Sequence, residues 1–207
     1  MPKSIMSIKG YAFTFCSKLN AITIPDGVTE IARCTFWGCS SLTSITIPEG
    51  VTKIEENAFS DCSSLISIII PESVTNIDEG AFRNCSSLTS ITIPERITII
   101  DGGTFWNCSS LTSITIPKGV TIIQSQAFDG CCSLTSIIIP ENVTFINGDS
   151  FANCSNLEYL KFEGTTPPEM YNGGICYYKT IYVPQSAVDD YKTTYGWGEY
   201  ADQIVGY

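Results

Sequence analysis

Histidine is absent from this 207-residue chain. Its absence removes the commonest acid–base group near neutral pH and the commonest metal ligand. It also removes the usual base of a serine or cysteine nucleophile. Charge of either sign is scarce at 15% of residues, and positive charge scarcer still, with 11 Lys and Arg against 21 Asp and Glu and a net charge of −10. An acidic chain repels phosphate, so neither nucleic acid nor an anionic membrane surface is an expected partner. Long apolar runs are missing as well. Ile68-Ile69-Ile70 stops at Pro71, far short of the roughly 20 residues of a membrane span, and no membrane insertion is expected. The first residues, Met1-Pro2-Lys3-Ser4-Ile5-Met6, lack the basic-then-apolar stretch of a secretion signal. That leaves two expectations: a cytosolic chain, or one whose signal lies outside this sequence. With 43% apolar residues the chain is nevertheless too apolar for disorder.

What is present is a repeat. Proline recurs at Pro2, Pro25, Pro48, Pro71, Pro94, Pro117 and Pro140. Leucine recurs from Leu19 to Leu157, cysteine from Cys16 to Cys154 and phenylalanine from Phe13 to Phe151, every step being 23 residues. A fixed period of this length is the signature of stacked structural units. In one unit Leu42, Ile45 and Ile47 are followed by Pro48, Glu49-Gly50, Val51-Thr52-Lys53-Ile54 and Ala58-Phe59 before Cys62 restarts the pattern. The Ile45/Ile47 alternation predicts a half-buried strand. Pro48 ends it, because proline cannot donate to a ladder. Glu49-Gly50 reads as a turn, Val51–Ile54 as a second short strand, and Ala58-Phe59 as one tight helical turn. Adjacent coils should sit about 4.8 Å apart, so that each apolar side chain packs on its own copies above and below. A single coil cannot fold alone; contacts between coils must supply the stability.

The L-x-x-L-x-L spacing of Leu42, Ile45 and Ile47, repeated through residues 2–163, resembles the 23-residue BspA-like (Treponema-type) leucine-rich repeats of bacterial surface proteins. The stretch Thr165-Thr166-Pro167-Pro168, then Ile181-Tyr182-Val183-Pro184, Tyr191-Lys192 and Trp197, resembles that family's usual ending. The resemblance implies an α/β-type solenoid that is mostly β, a parallel-strand stack closed by a C-terminal aromatic cap. It also implies a location at the cell surface or outside the cell, and adhesion to host matrix proteins or other cells. It brings no catalytic residue and no cofactor.

The expected organisation is a solenoid over residues 1–163, with a partial first coil, six full coils and a partial last coil, and a cap over 164–207. Pro2, Ile5, Ile8, Ala12 and Phe13 share the phase of Pro25, Val28, Ile31, Thr35 and Phe36, so the first coil starts in mid-unit. One reading is the C-terminal piece of a longer array; the other is a natural start covered by a partner subunit. On either reading the open coil near Leu19, Ile22 and Ile24 should favour self-association through exposed strand edges. In the cap, Thr180–Val183 reads as a last strand. Ser186-Ala-Val-Asp189 reads as a capping-box-like helix start, with the helix running to about Thr194. Six tyrosines between Tyr171 and Tyr195, with Trp197, read as a lid over the last coil or as an aromatic ligand site.

The concave face of such a stack is built from residues between the buried strand positions. One column holds Ala21, Ser44, Ser67, Ser90, Ser113, Ser136 and Tyr159; the next holds Thr23, Thr46, Ile69, Thr92, Thr115, Ile138 and Lys161. From Ser44 to Lys161 these columns are the candidate binding face for a protein. Ser and Thr are also ordinary solvent-facing strand residues, which is the competing account. An acidic row, Asp26, Glu49, Glu72, Glu95 and Glu141, broken by Lys118, either keeps the chain soluble or selects basic partners. It lacks the dense oxygen cluster that calcium needs. The Thr29, Thr52, Thr75, Thr98, Thr121 and Thr144 column reads as hydroxyls bonding backbone. Of ten cysteines, seven form the inward column, while Cys34, Cys132 and Cys176 lie off it. Stacked copies point in parallel, which disfavours disulfide geometry, so buried, unbridged thiols are expected. No C-x-x-C or histidine supports zinc. Asn84, Asn107 and Asn153 begin N-C-S matches that are by-products of the repeat, and Asn142 begins a fourth N-x-S/T match.

These readings favour a non-catalytic protein-binding module. The alternative is a structural spacer in a larger surface protein, which the near-uniform columns would also suit.

Overall fold

The computed structural model describes residues 1–2, 4–171, 175 and 179–207. Its strands are β1 (Glu30–Ile31), β2 (Ser44–Thr46), β3 (Lys53–Ile54), β4 (Ser67–Ile69), β5 (Asn76–Ile77), β6 (Ser90–Thr92), β7 (Ile99–Ile100), β8 (Ser113–Thr115), β9 (Ile122–Ile123), β10 (Ser136–Ile139), β11 (Phe145–Ile146), β12 (Tyr159–Phe162), β13 (Glu169–Met170), β14 (Thr180–Val183) and β15 (Ile204–Gly206). From Leu42 to Ile146 each coil contributes one strand from its Leu-x-x-Ile-x-Ile segment and a shorter one from its Val-Thr-x-Ile segment, whereas the Leu19–Ile24 segment forms only the Thr23–Thr46 bridge. The first kind pair in parallel as β2-β4-β6-β8 and β10-β12-β14-β15, the second as β1-β3-β5 and β7-β9-β11-β13. The register steps by one repeat: Ile45 lies opposite Ile68, and Ile68 opposite Ile91. The fold is therefore a mostly-β parallel solenoid of about seven turns.

Its core is a set of ladders. Leu42, Val51, Ile54, Phe59 and their copies are buried. From Phe13 to Phe151 the rings stack with centroids 5.4–5.8 Å apart and planes within 13° of parallel, an offset geometry that suits the ring quadrupole. The cysteine column has a partner that sequence reading did not supply. The Sγ of Cys62 donates to the carbonyl of Phe36 at 3.2 Å, one coil earlier. Cys39, Cys85, Cys108, Cys131 and Cys154 make the equivalent bond at 3.1–3.2 Å. Burial pushes the Cys39 thiol up to about 11 and the deeper thiols further up, so they stay protonated and unreactive at neutral pH. The nine described cysteines are unbridged; Cys176 lies outside the described residues. The expectation of a wholly buried column needs one correction: Cys16 is exposed, since among the described residues no coil packs over it or offers its Sγ a carbonyl.

The segment around Ala58-Phe59 is not helical. It is a run of tight turns in which alternate N–H groups serve different partners. Ala58 N–H bonds back to Glu55 and Ser60 N–H to Asn57, whereas Phe59 N–H reaches Ala81 in the next coil at 2.8 Å and Asp61 N–H reaches Arg83 at 2.8 Å. This alternation needs left-handed residues at two places per coil, such as Asn57 (φ 55°) and Asp61 (φ 58°), and it breaks any helix. Four of the six threonines in the column behave as expected: Thr52, Thr75, Thr121 and Thr144 hydroxyls bond the threonine carbonyl one coil earlier at 3.2–3.3 Å.

The cap prolongs the solenoid. β14 forms at Thr180–Val183 as expected, but β13 and β15 were not anticipated, and they carry both kinds of sheet past the last repeat. The helix, α1 (Val188–Thr193), is preceded by a 3-10 turn at Gln185–Ala187. Its N-cap is Ala187 and makes no side-chain cap bond, so the Ser186 capping box does not form. That 3-10 turn already places Ser186 inside helical backbone. Phe162, Tyr191 and Trp197 then form a mutually tilted aromatic cluster with centroids 4.7–5.7 Å apart. The Trp197 Nε1–H donates to Pro168 at 2.8 Å and the Tyr191 hydroxyl to Gly164 at 3.0 Å. These tyrosine and tryptophan positions serve as a lid. Tyr177 and Tyr178, also part of the expected lid, lie outside the described residues.

Candidate functional site

The outer face of the Leu-x-x-Ile-x-Ile sheet brings the predicted face residues together. In-register pairing aligns Ser44, Ser67, Ser90 and Ser113 in one column and Thr46 with Ile69, Thr92 with Thr115 in the next. In the second block Ser136 lies opposite Tyr159 and Ile138 opposite Lys161. The inward residues Ile45, Ile68, Ile91 and Ile137 are buried and hold these strands flat on the core, so the outward side chains sit on a rigid platform. All eight residues from Ser44 to Thr115 in the two columns are exposed, Ser136 is half-buried, and Ile69 and Ile138 are 74% and 49% exposed. Tyr159 and Lys161 are half-buried. The Lys161 ammonium lies 4.0 Å from the centroid of the Tyr207 ring, and Tyr159 meets Tyr182 edge-on at 5.5 Å.

Two parts of this face escaped sequence reading. The columns do not stop at Tyr159 and Lys161: Lys161 lies opposite Tyr182, and Tyr182 opposite Val205, so cap strands extend the surface. Tyr182 was findable from the alternation of Thr180 and Tyr182 in a recognised strand; a three-residue strand at Ile204–Gly206 gave no periodic signal. The other omission is Ile66, 52% exposed. It occupies a column that holds Thr43, Thr89 and Thr112 in neighbouring coils. Those threonines bond a carbonyl one coil earlier, Thr112 to Thr89 at 3.2 Å and Thr89 to Ile66 at 3.4 Å. Isoleucine cannot make that bond.

Beyond the strand ends Asp26, Glu49, Glu72, Glu95 and Glu141 are all exposed. The ion pairs among the described residues, Arg33–Glu56, Lys53–Glu55 and Lys53–Asp78, lie elsewhere.

Other concavities are shallow and open. One, of about 820 Å³, runs beside Asp61, Asn84 and Asn107. Its polar groups satisfy one another: Asn107 donates to Asn84, and Asn84 and the Trp37 indole donate to Asp61. A second, of about 450 Å³, sits over Gly80, Gly102 and Gly103 between Asn57 and Gln126. There burial and the neighbouring Asp78 and Glu79 raise the Asp101 carboxyl above its usual range. Among the described residues no group of three or more His, Cys, Asp or Glu could hold a metal ion. Among the same residues no helix is long and apolar enough to cross a membrane. Solenoids of this kind are typically non-catalytic.

A family profile described as "BspA type Leucine rich repeat region (6 copies)" matches residues 1–110 and 75–173. Among solved structures, a leucine rich cell surface protein from Faecalibacterium prausnitzii is 38% identical over 79% of this chain and 44% of its own, with a TM-score of 0.72. A leucine-rich repeat protein from Bacteroides ovatus is 30% identical over 88% of this chain and 54% of its own, at 0.73. The T. pallidum leucine rich repeat protein is 31% identical over 76% of each chain, at 0.72. This chain thus spans about half the length of the first two. No curated protein matches it. The 23-residue period, the paired parallel ladders and these likenesses together place the chain in the BspA-type leucine-rich repeat family of bacterial surface proteins.

Proposed function

We propose that the chain is a non-catalytic protein-binding module whose docking surface is the outer face of the Leu-x-x-Ile-x-Ile sheet, acting in adhesion at the bacterial surface. The exposure of Ile69 and Ile138 in columns otherwise built of serine and threonine carries this reading. Isolated surface isoleucines are ordinary, but these stand on a rigid, small-residue platform, with Ile138 on the strand next to half-buried Tyr159, and tyrosine is enriched at binding hot spots. Ser44, Thr46, Ser67, Ser90, Thr92, Ser113, Thr115 and Ser136 would supply a flat hydroxyl and methyl surround, with Tyr159 and Lys161 at the capped end. The F. prausnitzii protein is described as a cell surface protein, which supports reading this chain as a surface module.

The test is binding of the purified chain to immobilised host matrix proteins, comparing wild type with Ile69→Ser/Ile138→Ser and with Tyr159→Ser. The isoleucine variant is expected to bind about tenfold more weakly, equivalent to about 1.4 kcal/mol. Equal binding by all three proteins removes this face as the site. No binding by wild type favours a spacer that holds other domains away from the cell.

A further inference from the structure

Resting on that reading of the sheet face, we propose that its occupant is a basic amphipathic helix laid along the solenoid axis, with apolar side chains on Ile66 and Ile69 and cations over the acidic row. Three observations meet in one coil. Ile66 and Ile69 are both largely exposed, and Ile66 gives up a hydroxyl-to-carbonyl bond that Thr89 and Thr112 make, so its side chain is not there for the stack. Glu72 follows Ile69 by three residues, within about 10 Å along the chain. It is flanked by Glu49 and Glu95 one coil to either side, with Asp26 one coil further. The four carboxylates form an uninterrupted row ending at Lys118, and none has an ion-pair partner among the described residues. The Glu72 carboxylate does accept the Glu95 N–H at 3.2 Å, which aligns it along the row.

Spacing selects the helix. Carboxylates one coil apart are about 4.8 Å apart. Residues three and four apart on a helix rise about 4.5–6 Å, so a flank of lysines or arginines at that interval stays in step over the whole row, and the apolar stripe beside it faces the isoleucines. Same-side residues of an extended strand are about 6.6–6.8 Å apart and fall out of step within two or three coils. Basic charge on the partner also complements a chain of net charge −10, which speeds encounter and penalises acidic competitors.

The probe is a synthetic helix of about 18 residues, long enough to hold its structure, with leucines at i, i+3, i+4 and i+7 positions and lysines along one flank. A matched peptide carries glutamate for lysine, and binding is read by fluorescence anisotropy. The lysine peptide is expected to bind and the glutamate peptide not to. Glu49→Gln/Glu72→Gln/Glu95→Gln and, separately, Ile66→Ser/Ile69→Ser should each weaken the lysine peptide about tenfold or more, and Glu79→Gln on the turn arc should leave it unchanged. All three variants change exposed side chains, and circular dichroism checks their folding. If both peptides bind equally and only the serine variant loses them, the sheet face is a docking site and the basic-helix inference is wrong. If the glutamine variant loses the lysine peptide while the serine variant keeps it, attraction is charge alone and the inference is wrong, while the sheet-face reading still stands or falls on its matrix-protein test. No binding of the lysine peptide to wild type also overturns the inference.

Discussion

Asn84 shows how a surface residue can be fixed by backbone geometry. It occupies the second left-handed position of its coil, with φ 57°, in a column that runs Phe15, Gly38, Asp61, Asn84, Asn107, Gly130 and Asn153. Glycine and asparagine are the residues that reach this region at least cost. This is why Asn precedes Cys in three coils, and why N-C-S recurs without any need for glycosylation. The side chain adds a bond to Asp61 at 2.8 Å and accepts one from Asn107 at 3.1 Å. Asn84→Val should cost about 2–3 kcal/mol, from left-handed strain on a β-branched residue and the lost bonds. Asn84→Gly, which removes the bonds but keeps the conformation, should cost about 1 kcal/mol. Urea denaturation of both variants measures the gap, and equal losses would show that φ does not select this residue. The positions were legible as a periodic column, but their reason was not: a left-handed φ leaves no hydrophobic signature, and Tyr11, Cys34 and Gln126 occupy the companion column without looking like turn residues. The cysteines divide the same way. Their burial followed from periodicity, whereas the thiol-to-Phe bond depends on one coil's carbonyl meeting the next coil's side chain.

At the scale of elements, strands were legible wherever alternation or proline marked them, as at Ser44–Thr46 before Pro48 and at Thr180–Val183 before Pro184. The turn arc was misread as helical because Ala and Phe suit a short helix, while the pairing of alternate N–H groups with the next coil is a tertiary effect. Helix α1 was found, but its start was displaced by the 3-10 turn. Cap strand β15 pairs with β14 through Ile204 and Ile181, and it is short enough to need the cap's aromatic cluster behind it. Trp197 is fully buried and touches Phe162 and Tyr191. Trp197→Ala should therefore destabilise the protein by about 3–5 kcal/mol. Tyr191→Phe, which removes only the bond to Gly164, should cost about 1 kcal/mol. Far-UV circular dichroism against urea checks both. A Trp197→Ala loss no larger than that of Tyr191→Phe would mean that the cluster is peripheral to the cap. The candidate face was legible from Ser44 to Lys161 because strand alternation alone defines it. Its extension over Tyr182 and Val205 required knowing that the cap adds strands in register.

Over the whole molecule the two ends differ. At the C-terminal side the last repeat strand, β12, is followed in the sheet by β14 and β15. At the N-terminal side the segment around Leu19–Ile24 pairs through the Thr23–Thr46 bridge. Sequence reading placed Leu19, Ile22 and Ile24 together as open; in the structure Ile24 is buried, Leu19 and Ile22 are half-buried, and the exposed large apolar groups are Met1, Met6, Tyr11 and Phe15. The partial coil accounts for this, because Ile8 is buried against the same core. Hydrogen-bond polarity then limits how two copies could meet. In the turn arc the bonds between coils run one way, from an N–H of the earlier coil to a carbonyl of the later, as from Phe13 to Thr35 and from Phe36 to Ala58. The carbonyls of Gly10, Ala12 and Thr14, which match the accepting Arg33, Thr35 and Trp37, therefore face outward with no donor among the described residues. A two-fold axis at this arc would set acceptor against acceptor. The strand edge is different: its free side offers alternating donors and acceptors, so antiparallel pairing of two Thr23 segments satisfies both copies. Self-association is therefore expected through the Ala21–Thr23 edge, with half-buried Leu19 and Ile22 beneath it. Sedimentation velocity should show a concentration-dependent dimer. Thr23→Lys, an exposed change that places charge on the edge, should leave a monomer with unchanged circular dichroism. A Thr23→Lys protein that dimerises like wild type would place the contact elsewhere, and a wild type that stays monomeric at every concentration would rule out self-association through this end.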